Sequence, residues 1–163
     1  MRAASIVAAV GAAALLAGAA WMARQAHQHG MQVERGRAIF HGERTVAGKL
    51  EGHDSALPAL ATRCDNCHEA RNAAPLNSPN APSGAAVTGG AGADTFATPL
   101  DRERLSTLKP RHGGPKSAYQ LAQFCALLRT GVDPAYIIVR TIMPRYDISD
   151  AQCADLWAYL ESR

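Results

Sequence analysis

Five consecutive residues, Cys64-Asp65-Asn66-Cys67-His68, constrain the fold more than any other part of the chain. Two thiols three positions apart share one helical turn, so each can form a thioether to a vinyl group of haem. The imidazole of the next residue then lies under the iron as an axial ligand. A chain carrying such a group must wrap around it, and the group adds apolar surface on which short helices can pack. A thioredoxin-like redox pair calls instead for a βαβ pattern, and a zinc site for a second Cys/His pair at short spacing. Neither is visible, because the other two cysteines, Cys125 and Cys153, stand far apart. The motif predicts one haem c, attached through Cys64 and Cys67 with His68 on the iron.

Haem is attached to this motif on the outer side of the bacterial inner membrane, so an export signal is expected. Residues 1–24 can supply it: Arg2 precedes an uncharged stretch from Ala3 to Ala23, and Arg24 closes it. As a helix that stretch spans about 30 Å, the thickness of bilayer hydrocarbon. It is longer than a signal-peptide core, and Trp21 stands where an interfacial anchor would, so we expect an uncleaved signal-anchor. Removal near the small residues Ala17-Gly18-Ala19, leaving a soluble periplasmic protein, is the alternative. Residues 25–32 read as a polar tether, with His27 and His29 solvated, and residues 33–163 as a single domain. The net charge of +3 is scattered over 163 residues and predicts no nucleic-acid partner. An aromatic content of 6% is thin for an ordinary core, which again suits a domain built around a cofactor.

No segment alternates with period two for long enough to read as a strand, and the domain is expected to be all-α. Gln32 to His41 reads as a short helix, and Gly42 to Ala61 as a loop broken by Gly48, Gly52 and Pro58. The attachment helix is expected over Ala61 to Arg71, followed by an irregular stretch from Asn72 to Ala97. Leu100 to Leu108 reads as a turn or two of helix, and Arg111 to Lys116 as a basic, glycine-rich loop. Ser117-Ala118-Tyr119-Gln120 matches a capping box opening a helix with Leu121, Phe124, Cys125 and Leu128 on one face. Asp133-Pro134 reads as the start of a helix to Thr141. Ser149-Asp150-Ala151-Gln152 is a second capping box, and its helix carries Cys153, Leu156, Trp157 and Leu160 on one stripe.

The sixth iron position decides function. Of the four methionines, Met1, Met22 and Met31 precede the domain, so Met143 is the expected axial ligand. It sits in Thr141-Ile142-Met143-Pro144-Arg145-Tyr146, a loop that can present a flexible thioether to the iron. A core methionine filling a gap is the bland alternative, and His112 and His53 are rival ligands. In an oxidising compartment Cys125 and Cys153, on facing helices, most simply form a disulfide that pins the Met143 loop between them.

On these residues, 33–163 resemble the class I c-type cytochromes. The resemblance is carried by Cys64, Cys67 and His68, by Pro75-Leu76, by Met143-Pro144 and by the terminal Leu156-Trp157-Ala158-Tyr159-Leu160. Gly36 and Phe40 match the small and aromatic residues that the family's first helix presents to its last. The resemblance implies that those helices cross at Gly36, with Phe40 and Tyr159 packed nearby. It also implies that the Pro75 carbonyl accepts the Nδ1 hydrogen of His68 and so orients the ligand. The long insertion between Phe40 and Cys64 departs from the family pattern, and so does the Gly- and Ala-rich stretch after Pro75.

The expected activity is one-electron transfer with donor and acceptor proteins of a respiratory or dehydrogenase chain, without catalysis by the chain alone. Two other readings stand beside it. One is a haem-based sensor or small haem enzyme with a displaceable sixth ligand. The other is a cytochrome subunit that anchors and wires a larger membrane complex.

Overall fold

The computed structural model describes the backbone of residues 2–69 and 97–163, and the side chains of residues 16–69 and 97–163. The chain is mainly helical with a few very short strands. In order it forms α1 (Arg2–Phe40), β1 (Gly48–Lys49), a 3-10 turn (Ala59–Thr62), α2 (Asp65–His68), α3 (Arg102–Ser106), β2 (Lys109–Pro110) and β3 (Lys116–Ser117). α4 (Leu121–Thr130), β4 (Arg145–Tyr146) and α5 (Asp150–Glu161) follow. The strands make two minimal antiparallel pairs, β1 with β4 and β2 with β3. Each has two residues, too short for alternation to show in the sequence, so the all-α expectation missed them.

The frame is the crossing of α1 and α5. A Cβ added at Gly36 would lie 2.0 Å from the Asp155 carbonyl oxygen and 2.8 Å from Tyr159 Cβ, so only glycine lets the two backbones approach this closely. Arg35 clamps the crossing from the side, donating from Nε and Nη2 to the two carboxylate oxygens of buried Asp155 at 2.8 Å each. Below it Phe40, fully buried, meets the Tyr159 ring at a centroid distance of 5.4 Å. Cys153, Leu156 and Leu160 carry the buried stripe of α5 inward against Phe124, Cys125, Leu127 and Leu128 of α4. Trp157 packs on the Phe124 ring at 5.3 Å, and Leu121 stays on the surface. The Cys125–Cys153 disulfide joins the two helices.

Local expectations fail where a second signal overrides the first. Residues 25–32 form no tether, because α1 runs unbroken through them. Polar Gln and His residues in the company of alanine are compatible with helix, and no proline interrupts. The box at Ser117 does not open α4. Ser117 is paired with Lys109 in β3, and the capping box is made one turn later by Gln120 and Gln123. The helix expected from Pro134 is absent. Asp133 Oδ1 instead accepts from Ala135 N and Ile137 N, both at 2.8 Å, Tyr136 takes a left-handed φ of 62°, and Val132 bridges Ile138. The β-branched run Ile137-Ile138-Val139 favours the extended return over another helical turn. The Ser149 box opens α5 with both reciprocal bonds made.

The anchor expected over Ala3 to Ala23 falls largely on side chains outside the described residues. Among the described residues no helix is long and apolar enough to cross a membrane.

Candidate functional site

The Cys64–His68 motif sits on a single helical turn. α2 ends at His68, and the longer helix expected to reach Arg71 is not formed, since Glu69 is already extended at φ −96°, ψ 135°. The turn is docked at both ends. Cys64 N donates to the Phe40 carbonyl at 3.1 Å, using an acceptor that the end of α1 leaves unpaired within the helix. Ala97 N donates to the Cys67 carbonyl at 3.0 Å. The Asn66 side chain ties the turn to the Leu60 carbonyl at 2.6 Å.

His68 Nδ1 lies 2.8 Å from the Thr98 carbonyl oxygen. A carbonyl can only accept, so Nδ1 carries the hydrogen and Nε2 is the ring nitrogen with a lone pair for a metal. Burial lowers the imidazole's proton affinity, against the opposing pull of the Thr98 bond, which keeps the ring neutral. Pro75, expected in this orienting role, lies outside the described residues, and the acceptor is Thr98. A sequence signal for it exists. Pro99-Leu100 repeats the Pro75-Leu76 pair where helical patterning resumes, and Leu100 packs against the core.

Cys64 and Cys67 are outside the disulfide and partly buried. Burial and the neighbouring Asp65 carboxylate push the Cys64 thiol up to about 12, although a hydrogen bond with Tyr146 opposes this. A redox-active cysteine needs the reverse, a thiolate stabilised at neutral pH. Beside Cys64 lies a small cavity of about 10 Å³, lined by Ile39, Arg44, Val46, Thr62, Tyr146 and Leu156 among others. Two cysteines on one turn and an imidazole whose Nδ1 hydrogen is engaged by a backbone carbonyl are the side chains that would hold a covalently attached haem.

Met143 is partly buried against the core in the loop between α4 and α5. Arg145 holds that loop from behind: Nη1 donates to the Met143 carbonyl at 2.7 Å and Nε to Glu51 at 3.1 Å. The guanidinium stacks on Gly131, where a Cβ would meet Cζ at 2.1 Å. The Tyr146 hydroxyl donates to the Thr62 carbonyl at 3.2 Å. His112 sits at the turn between β2 and β3 with a left-handed φ of 47°, and His53 in an exposed loop.

A polar latch behind α2 has no local sequence signal. His41 Nδ1 lies 3.1 Å from Asp65 Oδ2, and its Nε2 lies 3.2 Å from the Tyr159 hydroxyl. Arg63 donates to both oxygens of Asp65, and Arg163 lies over the Phe40 ring at 4.9 Å. His41, Asp65 and Glu69 form the one group of three potential metal donors among the described residues. Both His41 nitrogens are engaged within the protein, so the group joins α1, α2 and α5. Compared with known proteins, the chain matches no family model, no curated sequence and no solved structure.

Proposed function

We propose that this chain is a one-electron carrier holding a single haem c in a class I cytochrome c-like fold. The observation that carries the reading is the His68 Nδ1 bond to the Thr98 carbonyl, on the same turn as Cys64 and Cys67. It turns a sequence motif into an oriented ligand set. The bound haem supplies the chemistry, an iron that cycles between ferric and ferrous states. The protein's part is attachment and orientation. Cys64 and Cys67 would hold the ring covalently, and the Thr98 carbonyl would set the rotation and basicity of His68. Met143 is the second axial ligand, and a thioether there favours the reduced iron and raises the potential. With both axial positions filled by the chain, little moves on electron transfer. Donor and acceptor are redox proteins at the outer face of the inner membrane, with residues 1–24 as anchor or export signal.

The test is spectroscopic. Protein made in a host that attaches haem c should keep the group after denaturation, and Cys64→Ala with Cys67→Ala should abolish attachment. Wild type should be low-spin in both oxidation states, with the weak far-red ferric band of thioether ligation. Met143→Ala should lose that band and show a lower potential. An unaltered spectrum in Met143→Ala removes this residue from the site, and rapid carbon monoxide binding by reduced wild type would favour a sensor.

A further inference from the structure

The insertion between Phe40 and Cys64 leaves and re-enters the fold at one place, because the Phe40 carbonyl accepts from Cys64 N. Between those points it reaches across to the Met143 loop. β1 pairs with β4 in the register Gly48↔Tyr146 and Lys49↔Arg145, starting two residues after Met143. Asp147 N extends the pairing to the Ala47 carbonyl at 2.9 Å. Glu51, at the far end of β1, accepts from Arg145 Nε, and the same guanidinium donates to the Met143 carbonyl. The Arg145 side chain is 6% exposed and that of Glu51 55%. Among the described residues, the buried cation therefore has one carboxylate as its counter-charge and one carbonyl as its target. At the other end of the insertion Thr62 accepts from Tyr146, which also touches Cys64.

We propose that residues 41–63 are a brace for the sixth ligand, with Glu51 and Arg145 as positioning residues that set how readily Met143 is displaced. The inference rests on the reading of Met143 as an axial ligand. Without Glu51, Arg145 has a single strong acceptor and no counter-charge, so its hold on the Met143 carbonyl has nothing to react against. A hydrogen bond between charged groups is large enough to alter a ligand-exchange equilibrium roughly tenfold. No electron moves in that exchange: the Met143 sulfur leaves ferric iron and an added nitrogen ligand takes its place.

The experiment uses the full haem-loaded chain in the ferric state and imidazole as the probe, followed by loss of the thioether band. Glu51→Gln should bind imidazole roughly tenfold more tightly than wild type. Glu51→Asp keeps the charge but withdraws the carboxylate by one methylene, and should behave like Glu51→Gln. Tyr146→Phe, which removes the hydroxyl bonds to Thr62 and Cys64 but leaves Glu51 and Arg145 in place, should shift binding in the same direction by less. Wild-type imidazole affinity in Glu51→Gln, or in Glu51→Asp alone, overturns the brace. A wild-type protein with covalent haem but no thioether band overturns the Met143 assignment, and the brace with it.

Discussion

Gly36 and Asp65 show how single side chains tie this frame together. At Gly36 a methyl group would meet the backbone of α5, which cannot rotate away as a flexible side chain would. Gly36→Ala should therefore cost about 3 kcal/mol, the upper end for overpacking, read as a lower denaturation midpoint. The gain in helix propensity returns under 1 kcal/mol of that, roughly. Asp65 makes a different prediction. Burial raises its carboxyl pKa, but hydrogen bonds from Arg63 and His41 outweigh it and hold the group below its ordinary value of 3.8. A depressed folded-state value stabilises the protein fully above the ordinary value, and the contribution is lost as pH falls through the lower one. The stability gap between wild type and Asp65→Asn should be constant above about pH 4 and close on further acidification. A gap that persists unchanged into strong acid would mean that the carboxylate's charge is not what stabilises the latch. The crossing at Gly36 was legible only through the family resemblance. The latch was not, because it joins His41, Asp65 and Tyr159 across three elements, and no local pattern links those positions.

Elements divide along the same line. α5 was readable to its first residue because the Ser149 box, the inward stripe and the cysteine all agree. The stretch after Asp133 was not, because aspartate followed by proline opens a helix and an Asx-type turn equally well. What decides is downstream: three β-branched residues in a row and the tertiary pairing of Val132 with Ile138. Thr98 escaped notice for a similar reason. Thr98 stands thirty positions from His68, too far for a local pattern to link the two. The disulfide between α4 and α5 encloses the whole Met143 loop. In the chain-entropy model a loop of 28 residues contributes about 3–4 kcal/mol. Replacing Cys125 and Cys153 together by alanine should lower stability by about that amount in denaturant titration. The thioether band should weaken before global unfolding, since the loop loses its covalent closure. A double variant that unfolds with its band intact to the midpoint would show that β1, β4 and Arg145 hold the loop unaided.

For the molecule as a whole, α1 is the element that the domain leaves half unused. Its side chains are exposed from Leu16 to Met31, and the packed part begins near Gln32. An alanine-rich helix standing alone in water is marginal, so this length wants a neighbour. If that neighbour is the bilayer, the protein in native membranes should resist alkaline carbonate, and its N-terminal sequence should begin at Met1. A chain begun at Gln32 behind a cleavable leader should be soluble and still haem-loaded, because the α1–α5 crossing lies beyond that point. Sequencing that starts between Ala20 and Ala26 would instead mark a cleaved leader. The continuity of α1 then bears on kinetics. An eight-residue coil would let the domain wander over its anchor and meet partners at many heights and angles. In an anchored protein, the unbroken helix from Arg24 to Gly36 would instead hold the domain at a set height of about 18 Å. Such a carrier trades reach for a high effective concentration at acceptors of matching height, and one inserted glycine pair in that span would loosen the bargain.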